Sequence, residues 1–174
     1  MATPQPVDIP ASPLDDSALL AYSAEHLIYE LWMLDRLNNW PSSLQVHPAE
    51  AQIIINALIE SWVVHLRNLL DFLYPTFCKA DDVVAAHFFP TEESYLACVG
   101  EISEKLKDAR DRAHKEIAHL TIKRKAGAPK GKEWDRPDLT NDVLVLMKRF
   151  AQEASPTRLH ESVRQVLGVT SARQ

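Results

Sequence analysis

Between Pro48 and Pro75 the chain carries one uninterrupted helical pattern, and this stretch limits the fold more than any other. Proline suits a first helical position and cannot continue a helix at the far end. At ~1.5 Å per residue the helix is roughly 40 Å long. Ile54, Leu58, Trp62, Leu66, Leu69 and Leu73 recur at helical spacing, and Ile55, Ile59, Val63 and Leu70 widen their face. The polar remainder is a narrow strip of Asn56, Glu60, Arg67 and Asp71. A helix this apolar has to be wrapped by others, so the pattern predicts the centre of a bundle. His65 lies off the strip, beside Ser61, Asn68 and Phe72. A hydrogen-bonded core histidine is the commoner outcome there than a functional one.

The flanking segments supply the wrapping. A helical pattern over 17–39 has Ser17 as its cap and Pro41 as its stop, with Leu20, Leu27, Leu31 and Leu34 on one face. His26 and Glu30 sit four apart on it, within reach of each other. Residues 76–94 read as a short connection with a turn or two in DDVVAAHFF, capped by Asp81 or Asp82, and with Phe88 and Phe89 closing the end of the bundle. Thr91 or Ser94 opens the next helix, which the pattern carries to about residue 123. A further helix spans 139–154 on Val143, Leu146, Met147 and Phe150. A last short one reaches Leu167, with Gly168 as C-cap. Only 4 glycines occur and no segment alternates with period two, which excludes a β-rich fold. The expectation is an all-α, up-and-down bundle of about five helices, with 48–74 and 95–122 as antiparallel neighbours. A Pro-rich arm over 1–16 precedes a single helical domain over 17–168 and a frayed end over 169–174.

The formal charge of -5 argues against a globally basic nucleic-acid binder. The 2 cysteines form no disulfide framework and have no metal-ligand spacing. The N-terminus lacks a signal-peptide pattern, and no apolar run reads as the ~18 residues of a membrane span. These features point to a cytoplasmic protein with no membrane partner. Glycine-rich phosphate loops and the nucleophile elbow are missing, so P-loop and Rossmann nucleotide binding are excluded. Glu116-x-x-His119 matches the carboxylate–histidine pair of di-iron bundles but occurs once, so no metal or other cofactor is expected. The basic run at 123–132 reads first as a solvated loop and second as a phosphate contact.

The chemistry-bearing residues concentrate in ARDRAHKEIAHLT, residues 109–121. Arg112, Glu116 and His119 fall on one flank of its apolar stripe; Arg110, His114 and Thr121 fall on the other. Histidine moves a proton near neutral pH, and arginine binds phosphate in a fork. Together they are what metal-free RNA cleavage requires.

Arg112 and His119, seven apart, form an R-x(4–6)-H motif on a late helix of an all-α chain. Together with ESWVVHLRNLLDFLYP (60–75) and HKEIAHLT (114–121), this resembles the HEPN superfamily, including small bacterial members related to abortive infection. The resemblance covers roughly residues 50–125. It implies a homodimer that joins two motif helices, and either a metal-independent ribonuclease or a component of phage defence or a toxin–antitoxin system. RNA or a nucleotide is the implied partner, and DNA is not. Arg112 would bind phosphate, His119 would act as acid or base, and Glu116 would orient one of them. His65, Arg67 and Asn68 of the long helix are the second set. The family's polar residue after the arginine is Ala113 here. Arg67-Asn68 has the right dipeptide, but Phe72, Leu73 and Tyr74 stand where the histidine belongs. A non-catalytic helical interaction module, with these residues in a buried hydrogen-bond network, is the alternative.

Overall fold

The computed structural model describes residues 9–40, 47–117 and 133–169. Among them there is no strand, and the architecture is an all-α bundle. In chain order it comprises α1 (Asp16–Tyr22), a π-helical turn (Ser23–Leu27), α2 (Ile28–Asn38), α3 (Pro48–Leu73), a 3₁₀ turn (Ala85–Phe88), α4 (Glu92–Val99), α5 (Glu104–Arg112), a second π-helical turn (Ala113–Ile117), α6 (Arg136–Glu153) and α7 (Glu161–Val166).

α3 has the expected bounds, and its C-terminal half is the axis of the core. Trp62, Leu66, Leu69, Leu70 and Leu73 are fully enclosed. Phe72, Phe88, Phe89 and Phe150 pack ring to ring around its lower end, with centroids 5.3–5.9 Å apart for Phe72–Phe150, Phe88–Phe150 and Phe89–Phe150. The N-terminal half differs. Glu30 lies about eight residues before the end of α2, yet it meets His65, about seventeen residues into α3. α3 therefore outruns α2 by about nine residues, or roughly 13 Å. Ile53 is 69% exposed and Ile55 40% on that overhang. An 18-residue window within Ala49–Leu73 has a mean hydropathy of 1.3, so by length and composition alone this helix qualifies as a membrane span, against the sequence expectation of no such run.

The first helical rod starts one residue earlier than expected. Asp15, not Ser17, caps it by accepting the Ala18 N–H at 2.8 Å. It is also interrupted. Ser23 is buried, and its hydroxyl donates to Leu20 O at 2.9 Å and accepts the His160 N–H at 3.0 Å. Such back-bonding bends a helix, and here the next turn widens to π geometry. The proline-rich leader is not all solvated: Ile9 and Leu14 pack on the core, and Pro10 O lies 3.1 Å from His87 Nε2.

The single helix expected from about 91 to 123 is two helices. Gly100, at φ 62 and ψ −161, ends α4, and the Ser103 hydroxyl restarts the chain by accepting the Leu106 N–H at 3.3 Å. α4 packs on α6, while α5 and the second π turn pack on α3. Arg110 reaches Tyr74 O and His114 reaches Asp71, so the 104–117 part of the expected pair does run antiparallel to α3. Gly168, at φ 67, closes α7 as its sequence position predicts.

The φ/ψ pair of Gly100 is open to glycine and hostile to any Cβ, although no atom lies within 4 Å of where a Cβ would sit. Gly100→Ala is expected to destabilise the fold by ~1–3 kcal/mol through backbone strain alone. Denaturant unfolding checks it, and an unchanged midpoint would mean that the α4–α5 break relaxes freely.

Candidate functional site

The bundle opens on one side into a cleft of about 720 Å³. One wall is the first π turn and its flanks, with Tyr22, His26 and Glu30. The floor is the lower half of α3, with Arg67, Asn68 and Asp71. The 75–84 connection adds Phe77, Lys79, Asp81 and Asp82 to the lining, and His114 of the second π turn completes it. Each π turn thus brings a histidine to the same cleft. An extra residue in a helical turn re-aims the side chains after it, and such turns are frequent at functional sites.

The floor carries a cation–carboxylate–imidazole row. Arg67 Nε is 3.5 Å from Asp71 Oδ2, and His114 Nε2 is 3.8 Å from the same oxygen. Among the described residues, Arg67 Nε is enclosed and has no hydrogen-bond partner. Burial holds the Asp71 carboxyl above the ordinary carboxylate range, against the opposing pull of His114, Arg67 and Arg110. Tyr22 is raised too, by burial and by the charges of Glu30 and Asp82. Arg67 and Lys79 face four carboxylates, those of Glu30, Asp71, Asp81 and Asp82. Besides Asp71, two of the four are engaged. Glu30 Oε2 is 2.8 Å from His65 Nδ1 and accepts from Asn68 Nδ2 at 3.2 Å, and Asp82 accepts the Lys79 N–H at 2.7 Å. Among the described residues no three His, Cys, Asp or Glu side chains come together to hold a metal ion.

The sequence candidates separate on this framework. Of the second set, Arg67 and Asn68 line the cleft. His65, 7% exposed, is tied to Glu30 and lies edge-on to Tyr29 as a strut between α2 and α3. Glu30 therefore meets His65 rather than His26, whose ring instead lies 4.8 Å from that of Tyr22. Of the first set, Arg112 is half-buried with its guanidinium 4.1 Å above the Trp134 ring, and is not part of the cleft lining. Trp134 in turn meets Trp62 edge-on. Glu116 contributes backbone to the second π turn, its side chain lying outside the described residues, as does His119 altogether. Arg110 is no flank residue: it is buried and donates to Tyr74 O at 2.7 Å.

Site selection from the sequence passed over His26, Asp71 and His114. Arg67-x-x-x-Asp71 was legible as an ion pair one turn apart. What brings His114 to it is the antiparallel packing of α5 on α3, which no local pattern encodes. The chain matches no family model, no curated protein and no solved structure.

A folded-state pKa above the unfolded one means that the folded chain binds that proton more tightly. The Asp71 anion therefore weighs against the fold above its raised value, and the penalty fades as pH falls through that value toward 3.8. Asp71→Asn is expected to melt higher than the parent at neutral pH, with the gap closing in acid. A thermal-melt series across acid pH checks this. A lower melting point at neutral pH would mean that the pairing with Arg67 and His114 outweighs the burial.

Proposed function

We propose that this is a HEPN-like, cytoplasmic, homodimeric protein that cleaves RNA without a metal, in a phage-defence or toxin–antitoxin setting, and that the cleft is its working site. The observation that supports this most is the convergence of His26 and His114, from two separate π turns, on a floor carrying Arg67. Metal-free phosphodiester cleavage needs one group to take the proton of the attacking 2′-hydroxyl and another to protonate the leaving oxygen. Imidazoles do both near neutral pH. It also needs a fixed cation where charge grows on the phosphate, and Arg67, whose side chain is 31% exposed on the cleft floor, suits that role. Asp71, 3.8 Å from His114 Nε2, orients that imidazole.

The competing assignment is Arg112 with Glu116 and His119. If the cleft is the site, His26→Ala, Arg67→Ala and His114→Ala each reduce cleavage of a labelled RNA by ~10²–10⁴-fold, and cleavage persists in EDTA. Arg112→Ala and His119→Ala then keep most of the activity. The reverse pattern moves the site to the late helix.

A second reading has its own support. His65, Asn68 and Glu30 form a closed network, and Arg112 is stacked on Trp134, as in a non-catalytic interaction module. On that reading wild type leaves RNA intact, and Arg112→Ala lowers the melting temperature.

The homodimer rests on the overhang of α3, whose Ile53 and Ile55 are exposed on a helix otherwise built for burial. Sedimentation is expected to show a dimer at micromolar concentration and a monomer for Ile53→Glu/Ile55→Glu. A wild-type monomer at high micromolar concentration removes the claim.

A further inference from the structure

We infer that Phe77 selects an unpaired base, so that the cleft takes single-stranded RNA one nucleotide at a time; this rests on reading the cleft as an RNA site. Phe77 is 74% exposed, more than any other large apolar side chain among the described residues, yet it lies on the rim of a polar cleft rather than on the core. An aromatic ring held in water beside a cleft has no packing role to explain it. Tyr22 and His26, which form a ring pair, line the same cleft. A flat ring entering the cleft therefore has exposed aromatic surface to stack on, and base–aromatic stacking is indifferent to which base it is.

The charge pattern points the same way. Asp81 and Asp82 sit on the wall that carries Phe77, with Arg67 on the floor. Carboxylates repel a phosphate backbone but accept hydrogen bonds from the amino groups on base edges. The cleft thus suits one phosphate at Arg67 and one base against Phe77 and the carboxylates. A volume of about 720 Å³ is that of a small-molecule pocket. A duplex fits neither requirement, because its base faces are stacked and its edges paired.

The test uses a 2′-O-methyl oligoribonucleotide, which lacks the attacking hydroxyl and cannot be cleaved, as a single strand and annealed to its complement. Wild type is expected to bind the single strand at least about tenfold more tightly than the duplex. Phe77→Ala should weaken single-strand binding by about tenfold at an unchanged melting temperature, and Phe77→Tyr should restore it. With Arg67 and Lys79 as the phosphate contacts, the logarithm of affinity should fall with log salt at a slope of roughly −1 to −2. Equal binding of both forms, no binding by wild type, or Phe77→Ala binding like wild type each overturn the inference. Phe77-dependent binding without cleavage of ordinary RNA supports it while removing the cleavage reading. Cleavage with no dependence on Phe77 does the opposite.

Discussion

The C-terminal ends of helices leave backbone carbonyls without a partner, and this chain satisfies several of them with arginine. Arg110 donates to Tyr74 O at the end of α3, Arg136 to Leu37 O near the end of α2, and Arg149 to Cys98 O near the end of α4. Arg158 donates to His87 O and Phe89 O, where the 3₁₀ turn ends. Arg164 gathers Ala151 O and Ala154 O at the end of α6 and Leu159 O in the turn before α7, while only 7% exposed itself. Each guanidinium meets the negative end of a helix dipole, so one bond answers both an orphan acceptor and a field. Each also comes from a different segment than the helix it closes. The caps are therefore tertiary ties, and they replace the glycines that a helical chain would otherwise place at its helix ends.

The same economy joins α3 to α4. The Tyr95 hydroxyl donates to Leu73 O at 2.8 Å and the Tyr74 hydroxyl donates to Val99 O at 2.8 Å, so each helix end is closed by a side chain from the other. Burial lifts the Tyr95 phenol to about 12, which keeps it a neutral donor at any physiological pH. With its lower end fixed by these bonds and by the phenylalanine cluster, α3 cannot slide or rotate. Glu30, held by His65 and Asn68, sets the register of α2 upon it. The cleft lies beside that network, with the first π turn and the lower half of α3 in its lining.

The architecture was legible where one element dominates its neighbourhood. The bounds of α3 followed from two prolines and a wide apolar face, and Gly168 was readable as a stop. The helix after Thr91 was misread because Val99, Ile102 and Leu106 keep helical spacing across Gly100. Periodicity alone cannot see a backbone conformation that only glycine adopts. The site was less legible for a related reason. Arg112 and His119 shared a stretch with every chemical group a reader looks for, but proximity in sequence does not decide what a side chain finds. For Arg112 it is the face of Trp134. Neither π turn has a local signature, and the first coincides with a tertiary contact, the bond between the Ser23 hydroxyl and the His160 N–H.

The arginine caps also bear on where chemistry is available. A guanidinium that closes a helix end is bonded to carbonyls and cannot turn to a substrate without opening that end. Arg67 is in a different position. Its Nε is enclosed without a hydrogen bond, and its neighbour Asp71 stands 3.5 Å away, too far for the charge-assisted bond the pair could make. A buried donor left in this state costs on the order of 1–3 kcal/mol. The penalty is compounded by Asp71, whose carboxyl is held above its ordinary range by burial. A fold that closes its other helix ends with buried arginine bonds has the means to satisfy this one. Arg67 is therefore set apart from the capping arginines: its side chain stays 31% exposed and ties no helix end.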